Sequence, residues 1–218
     1  MNLKHSRSST KNSYYPLFLD ITHKPCLVIG GGRVAERKVK ILLRFDALVR
    51  LISPKVTQAL IRLAEKGKIE IIKREYEEGD LKGAVLVFAA TNKEEINRRI
   101  RKEAEKRHIP VNVVDNPDLC DFVVPSIVKK GPIVIAISTS GTLPLLSKKL
   151  RKEIQRNITG DYIQYAYLIG RFRELLIKKV KDRKKRSDIM KEIGKIDIKE
   201  FTVMDFQKIK DMFLREEP

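Results

Sequence analysis

The chain has 218 residues, 42% of them hydrophobic, which is enough for one α/β domain with a real core and a smaller appendage. We expect a soluble cytoplasmic protein, because no apolar stretch is long enough to span a bilayer and the polar N-terminus lacks the apolar core of a secretion signal. The formal net charge of +18 favours anionic partners, either nucleic acid or a polycarboxylate substrate, although a lysine-rich surface that only maintains solubility explains it equally well.

The N-terminal residues 1–13 are predicted to be a flexible basic tail, because serine, lysine and arginine predominate there over apolar residues. Structure is expected to begin near Tyr14. Residues 15–20 form a short apolar segment that we place along a sheet edge, and residues 23–25 turn the chain into the first strand.

The apolar residues 26–29 are followed by Gly30, Gly31 and Gly32 and then by a segment of helical periodicity. This order predicts a buried strand, a tight turn and a helix whose first N–H groups can bind a phosphate. Gly30, Gly32 and Ala35 fit the G-x-G-x-x-A form of the dinucleotide fingerprint, in which the last small residue lets the helix pack against the strand.

The periodicity after the turn predicts a helix whose apolar face is Val34, Ala35, Val39, Leu42 and Leu43, with Arg37, Lys38, Lys40 and Arg44 directed outward. A second strand over 47–52 precedes Ser53 and Pro54, which we interpret as the N-cap and first residue of the next helix. A third strand follows over 69–72. Alternating strands and helices of this kind predict a parallel sheet with right-handed crossovers.

The end of the second strand is the place where a dinucleotide site usually carries an acid for the adenosine ribose. Ser53, Pro54 and Lys55 occupy it here, so that carboxylate is missing. Because Lys55 would suit a 2′-phosphate, the chemistry alone leaves NAD and NADP open.

The fourth strand is predicted over 84–92, and it ends in small and polar residues, Ala90, Thr91 and Asn92. Asn92 with Glu95 resembles a capping box for the following helix, so Asn92 is a candidate for capping, for cofactor contact, or for both. A fifth strand over 111–115 brings Asp115 to the same rim as the glycines.

Two β-rich runs over 122–128 and 132–138 predict a hairpin, and a helix is expected over 144–157. The hydroxyl-rich turn between them can be an anion cradle or an ordinary N-cap. The remainder is helical in pattern. Its basic run, 178–186, lacks the interleaved aromatic residues of a nucleic-acid site, and we interpret it as a solvated helix end.

The predicted fold class is therefore α/β. A Rossmann-like parallel-sheet domain over 14–115 is followed by a small α+β region over 116–158 and a helical C-terminal domain over 159–218. Cys26 falls in a predicted strand and Cys120 in a predicted loop, and neither belongs to a CxxC motif or a Cys/His spacing, so no disulfide framework and no metal site is predicted.

Several sequence blocks together resemble the precorrin-2 dehydrogenase and sirohydrochlorin ferrochelatase family, which includes the N-terminal half of sirohaem synthase. The likeness runs from about residue 14 to residue 157. It is carried by residues 15–19, 28–38, 89–92, 111–115, 120–122 with Pro125 and Ser126, and 138–142 before Pro144 and Leu145.

The resemblance implies an enzyme that removes hydride from precorrin-2 and passes it to NAD, giving sirohydrochlorin on the route to sirohaem. Asp115 falls on the family's catalytic aspartate, which takes a proton from the macrocycle. The region after Asp115, residues 116–158, is implied to form a homodimer whose cleft holds the tetrapyrrole, with no nucleic-acid or membrane partner.

The expected cofactor-binding residues are Gly30, Gly31, Gly32, Arg33, Val34, Ala35, Ser53, Pro54, Lys55, Ala90, Thr91 and Asn92. The expected substrate-binding residues are Asn116, Ser138, Thr139, Ser140, Gly141 and Thr142.

One departure from the family concerns the loop at residues 138–142, where the family often has Ser-Ser-Gly-Gly-Thr and this chain has Ser-Thr-Ser-Gly-Thr. The hydroxyl count is retained but one glycine is lost, so the loop path is expected to differ.

Three alternatives to a simple dehydrogenase stay open at this point. A bifunctional enzyme would also insert Fe²⁺ into sirohydrochlorin. A dinucleotide-sensing regulator would bind duplex DNA with a steep salt dependence, although no helix-turn-helix signature is present. A non-catalytic NAD-binding subunit would retain every activity when Asp115 is replaced.

Overall fold

The computed structural model of the protein describes residues 14–214, which fall into two units, one ending at Val124 and the other beginning at Pro125. The predicted flexible tail over 1–13 lies outside the described residues. Each unit is described by itself below.

The elements of the first unit are β1 Pro25–Ile29, α1 Arg33–Leu43, β2 Leu48–Ile52, α2 Gln58–Glu65, β3 Ile69–Ile72, β4 Leu86–Ala89, α3 Glu94–Lys106, β5 Val111–Val113 and a 3₁₀ turn Pro117–Leu119. The five strands form a parallel sheet in the order β3-β2-β1-β4-β5, which confirms the predicted Rossmann-like class. Strands in this order bring the ends of β1, β2, β4 and β5 to one edge, where ligands of open parallel sheets bind.

Two apolar layers enclose the sheet, as expected for strands that are buried on both faces. On one side α1 and α2 pack against the sheet through Val39 and Leu60, together with Phe88 of β4. On the other side α3 packs through Ile100 and Ala104. Both layers fix the strands and thereby position the loops that follow them at the edge of the sheet.

A buried polar network ties α3 to the segment after β3. The hydroxyl of Tyr76 and the backbone N–H of Gly79 both donate to the carboxylate of Glu103, and Arg107 Nε donates to Glu103 Oε1 over 2.7 Å. Glu103 is only 3% exposed. Burial by itself raises the pKa of Glu103, but the three donors outweigh it and hold the pKa below its usual value.

The second unit starts with the antiparallel hairpin that the sequence predicts, with shorter strands than expected. Its helical part has a core of its own in which Phe172, Ile193 and Phe201 are buried. The elements are β6 Ser126–Lys130, β7 Ile133–Ile137, α4 Pro144–Asn157, α5 Gly160–Lys179, α6 Arg183–Ile193, α7 Ile198–Thr202 and α8 Phe206–Phe213.

The basic run 178–186 forms the corner between α5 and α6 rather than one helix end. Asp182 caps α6 by accepting from the backbone of Lys185, and Arg186 donates to the carbonyls of Val180 and Lys181. These bonds satisfy backbone groups that helix termini leave open.

Several local expectations were wrong. Ser53 does not cap α2: the cap is Thr57, whose hydroxyl accepts from the Leu60 N–H, while the Ser53 hydroxyl donates to the carbonyl of Lys55 over 2.7 Å. Proline at position 54 therefore lies in a loop before the helix. Asn92 does not cap α3, which begins later, at Glu94.

The strand ends and the first apolar segment also differ from expectation. β4 ends at Ala89 and β5 at Val113, so the residues that follow them belong to turns. Residues 15–20 form no strand and are exposed.

We expect Glu103→Gln to lower the free energy of unfolding by about 1–3 kcal/mol at neutral pH, because buried donors lose a charged acceptor. The depressed folded-state pKa means that the Glu103 contribution is present above the unfolded value of about 4.3 and is lost as pH falls through the folded value. Urea unfolding at neutral pH and at a pH of about 3 measures both effects. Glu105→Gln, exposed on the same helix, is the control, and equal stability of wild type and Glu103→Gln at neutral pH would contradict the account.

Candidate functional site

The turn after β1 is held so closely to its neighbours that two of its glycines admit no side chain. Gly30 has φ +117°, and a Cβ there would lie 2.3 Å from the carbonyl oxygen of Ala90. A Cβ on Gly31 would lie 2.0 Å from the carbonyl oxygen of Lys55. Backbone bonds from Gly30 N to Ile52 O and from Thr57 N to Gly31 O fix this approach.

Gly32 differs from the two glycines before it. It is the N-cap residue of α1, it is exposed, and a Cβ added to it meets no atom within 4 Å. The N–H groups of the first helical turn point past Gly32, where the helix dipole also favours negative charge. The open space beside Gly32 is therefore suited to a phosphate group that approaches the backbone closely.

A cavity of about 710 Å³ adjoins this turn, a size typical of ligand and cofactor sites. Its walls come from the carboxyl ends of β1, β2, β3 and β4 and from the start of α3. It is lined by Ile29, Gly30, Gly31, Gly32, Ile52, Ser53, Pro54, Lys55, Val56, Thr57, Glu75, Tyr76, Ala90, Thr91, Asn92, Lys93 and Ile96. Nine of the twelve residues predicted to bind the cofactor are in this list.

The three other predicted cofactor residues lie in the first turn of α1 and do not line the cavity. Arg33 is exposed and Val34 is half-buried, whereas Ala35 is fully buried against the sheet. Ala35 thus has the packing position that the fingerprint gives to its last small residue.

A hydrogen-bonded pair of side chains braces the loop that forms one wall of the cavity. Thr57 Oγ1 donates to Glu36 Oε2 over 2.9 Å, which ties the loop before α2 to the first turn of α1. Hydrogen bonds from Lys40 and Thr57 lower the pKa of Glu36. The wall therefore has a fixed shape before any ligand enters.

Sequence reasoning missed eight residues of the cavity wall, of which four carry polar groups: Thr57, Glu75, Tyr76 and Lys93. Lys93 Nζ forms an ion pair with Glu75, which joins the segments after β3 and β4. The topology could have identified these residues, because each follows the carboxyl end of a parallel strand.

Thr91 and Asn92, which were predicted to bind the cofactor, differ in exposure. Thr91 is half-buried, and its hydroxyl accepts from the Lys93 N–H and donates to Asn97 near the start of α3. Asn92 is exposed.

Asp115 lies in the turn after β5 with φ +60° and is exposed. The N–H of Val114 donates to the carbonyl of Ala89, so the turn is attached to the end of β4. Asp115 does not line the cavity. Along the edge, the end of β4 with Ala90 lies between the glycine turn and the strand that precedes Asp115.

The remaining predicted substrate residues fall in both units. Asn116 is half-buried next to Asp115, and its carbonyl accepts from the thiol of Cys120. The hydroxyl-rich loop belongs to the second unit, where internal bonds occupy several of its hydroxyls: Ser138 Oγ accepts from Ser140 N, and Thr142 Oγ1 donates to the Thr139 carbonyl over 2.6 Å. Gly141 has φ +77° in this loop. Binding of the substrate by the loop stays a prediction.

Both cysteines are free, with Cys26 buried and Cys120 half-buried. Within residues 14–214 there is no group of three or more His, Cys, Asp or Glu side chains that could hold a metal ion. In that same part of the chain, no helix has the length and apolarity required to cross a membrane.

A protein family described as "Putative NAD(P)-binding" matches residues 17–126, which include the whole sheet and the cavity. The chain belongs to this family. Membership confirms the expected NAD-type cofactor, and the glycine turn, the open space at Gly32 and the cavity fit a dinucleotide. The family description covers NAD and NADP alike.

Curated relatives are siroheme synthases, which confirms the resemblance found in the sequence. The chain is 43% identical over 159 residues to the siroheme synthase of Methylobacillus flagellatus, an alignment that covers 73% of this chain and 34% of that protein. It is 41% identical over 162 residues to the siroheme synthase of Nitrosomonas europaea, covering 74% of this chain and 34% of the relative. The chain therefore spans about a third of the length of these relatives.

A solved structure titled "SirC, precorrin-2 dehydrogenase" has the same fold. It superposes with a TM-score of 0.74 at 23% sequence identity, and the match covers 92% of this chain and 99% of that one. The structural likeness therefore extends over both units of the chain.

We expect Gly32→Ala to weaken NAD binding by at least tenfold while leaving the melting temperature unchanged, because the added methyl group enters only the space assigned to the phosphate. Gly31→Ala should instead destabilise the fold by about 1–3 kcal/mol or more, because its Cβ meets a backbone carbonyl. Calorimetric titration with NAD and thermal unfolding separate the two effects. Gly170→Ala, at an exposed helical glycine with open space around it, is the control. Unchanged NAD affinity in Gly32→Ala would contradict the placement of the phosphate.

Proposed function

We propose that this chain catalyses the NAD-dependent oxidation of precorrin-2 to sirohydrochlorin, in the cytoplasm. The observation that carries the proposal is the pairing of the dinucleotide cavity with an exposed carboxylate, Asp115, after the next strand of the same edge. The siroheme synthase of Methylobacillus flagellatus, which is 43% identical over 73% of this chain, supports it.

The chemistry requires that precorrin-2 lose one hydride and one proton. NAD, when bound, supplies the nicotinamide ring that accepts the hydride. Asp115 takes the proton, and because its side chain is exposed it can release that proton to water. Two electrons leave the macrocycle with the hydride, so charge and atoms balance without a further oxidant.

The chain's own groups have distinct roles in this proposal. The N–H groups at Gly32 and the start of α1 bind the pyrophosphate, and the loop with Pro54 and Lys55 lies where the adenosine is expected. Ala90 and Asn92 lie between the glycine turn and β5, on the side of the nicotinamide. Asn116 and the loop around Gly141 are proposed to contact the macrocycle, and the net charge of +18 attracts its carboxylates.

We further propose that the active form is a homodimer in which a second copy covers the second unit. A two-stranded hairpin leaves two open edges and is marginal alone. β7 is only half-buried, and at the start of α4 Leu143 is 53% and Leu145 81% exposed. A second copy of the same surface would bury these apolar residues through an isologous contact.

The direct test of the activity is incubation of the purified chain with precorrin-2 and either NAD or NADP, followed by the absorbance of the oxidised macrocycle. Formation of sirohydrochlorin together with an equal amount of reduced cofactor supports the proposal. No oxidation with either cofactor, in a preparation that binds NAD, would contradict it and favour a non-catalytic subunit.

Asp115→Asn is expected to lower kcat by about 10²-fold or more, because the amide cannot accept the proton, while NAD affinity stays within twofold. The matched control is Asp118→Asn, which removes an exposed carboxylate from the neighbouring 3₁₀ turn. Steady-state kinetics and NAD titration provide the two readouts. Full turnover by Asp115→Asn would remove Asp115 from the mechanism.

Leu145→Glu should convert the dimer to a monomer, because a buried unpaired carboxylate opposes the apolar contact. Light scattering after gel filtration should change from twice the chain mass of 25.2 kDa to that mass. Val203→Glu, at an equally exposed apolar residue outside the hairpin and α4, should remain dimeric. A monomeric wild-type chain would contradict the proposed assembly.

A further inference from the structure

Lys38 in the second turn of α1 does not point outward as the helical pattern predicts. Lys38 is half-buried, and its Nζ lies 5.1 Å from the centre of the Phe88 ring, in a cation–π contact. Phe88 is 3% exposed, and Phe122 packs edge-on against it with ring centres 5.5 Å apart. The ammonium group therefore rests on the aromatic edge of the core.

The Lys38 ammonium lacks the partner that a half-buried cation normally has. Within residues 14–214 it forms no hydrogen bond or ion pair, and its contact is the Phe88 ring. Burial first, and then the like charge of Arg37, lower the pKa of Lys38, while Cys120 and Asp115 oppose that shift. An anion bound at the ammonium would compensate for both unfavourable effects.

The surroundings of Lys38 are rigid. Asn112, which is buried in β5, donates to the carbonyl of Phe122 over 2.9 Å. Asp121 accepts from the N–H of Val111, and Cys120 bonds to both backbone groups of Val113. These bonds fix the segment 120–122 beside the turn that carries Asp115. The aromatic base under Lys38 is thus joined to the strand that precedes Asp115.

The position of Lys38 favours the substrate over the cofactor as its ligand. Neither Lys38 nor Phe88 lines the dinucleotide cavity; Lys38 belongs to α1, and Phe88 belongs to the core layer on the side of α1 and α2. The charge of Asp115 acts on Lys38, and the segment 120–122 joins the Phe88 ring to the strand that precedes Asp115. An ammonium on the same side of the unit as a proton-accepting carboxylate suits a ligand that offers an anionic group next to an oxidisable carbon.

We propose that the Lys38 ammonium binds one peripheral carboxylate of the tetrapyrrole and thereby sets the ring against Asp115. This inference rests on the proposed dehydrogenase function and assigns a substrate contact to a residue of the helix whose N-terminus binds the cofactor. Lys38 fixes the position of the substrate and takes no part in the transfer of hydride or proton.

The kinetic test compares Lys38→Gln and Lys38→Arg with wild type. Lys38→Gln is expected to raise the KM for precorrin-2 at least tenfold with the KM for NAD within twofold, because only the substrate loses a charged contact. Lys38→Arg should recover most of the affinity, since it keeps the charge. Lys102→Gln, an exposed lysine on α3, is the control for loss of one positive charge. An unchanged KM in Lys38→Gln, or an equal rise in Lys102→Gln, would overturn the proposal.

A binding experiment separates this inference from the activity itself. Uroporphyrin, an unreactive tetrapyrrole with a ring of carboxylates, is titrated by fluorescence into each variant, and Lys38→Gln should bind at least fivefold more weakly than wild type and Lys102→Gln. If wild type binds uroporphyrin in this way but does not oxidise precorrin-2, the proposed function fails and the role of Lys38 stands. Equal binding by all variants overturns the role of Lys38 alone. Lys38→Met, which keeps the apolar stem over Phe88, replaces Lys38→Gln if thermal unfolding shows that the latter is unstable.

Discussion

Two backbone carbonyls determine how the first unit is arranged. Those of Ala90 and Lys55 approach the glycine turn so closely that Gly30 and Gly31 have no room for a Cβ. This contact lets the turn pass between the ends of β2 and β4 and directs α1 so that its N-terminus faces the cavity. A side chain at either position would push the turn outward and separate the helix N-terminus from the cavity wall.

Two chemically different surfaces result on the first unit. The cavity beside Gly32 is formed mainly by backbone and small residues, which suits a phosphate held by N–H groups. The surface formed by Lys38 and the turn of Asp115 has opposite charges on an aromatic base. The end of β4 lies between the glycine turn and β5, so a dinucleotide that extends along the edge brings its reactive ring toward Asp115.

Features that depend on local sequence could be predicted, and those that depend on distant contacts could not. The glycine turn, the order of strands and helices, and the hairpin follow from periodicity and turn residues. Lys38 was misplaced because the helical pattern does not reveal that Phe88, fifty residues later, attracts its ammonium. The cap at Thr57 was missed because a serine followed by proline at 53 and 54 is the stronger local signature, whereas the structure shows the Thr57 hydroxyl accepting from the Leu60 N–H and donating to Glu36.

The proposed function requires that a dinucleotide at the glycine turn and Asp115 act on one substrate. A crystal structure of the chain with NAD and sirohydrochlorin, the proposed product, would show whether they do. The pyrophosphate should lie within hydrogen-bond distance of the Gly32 and Arg33 N–H groups, and the macrocycle between the nicotinamide and the carboxylate of Asp115. A dinucleotide bound away from the turn, or a macrocycle out of reach of Asp115, would contradict it.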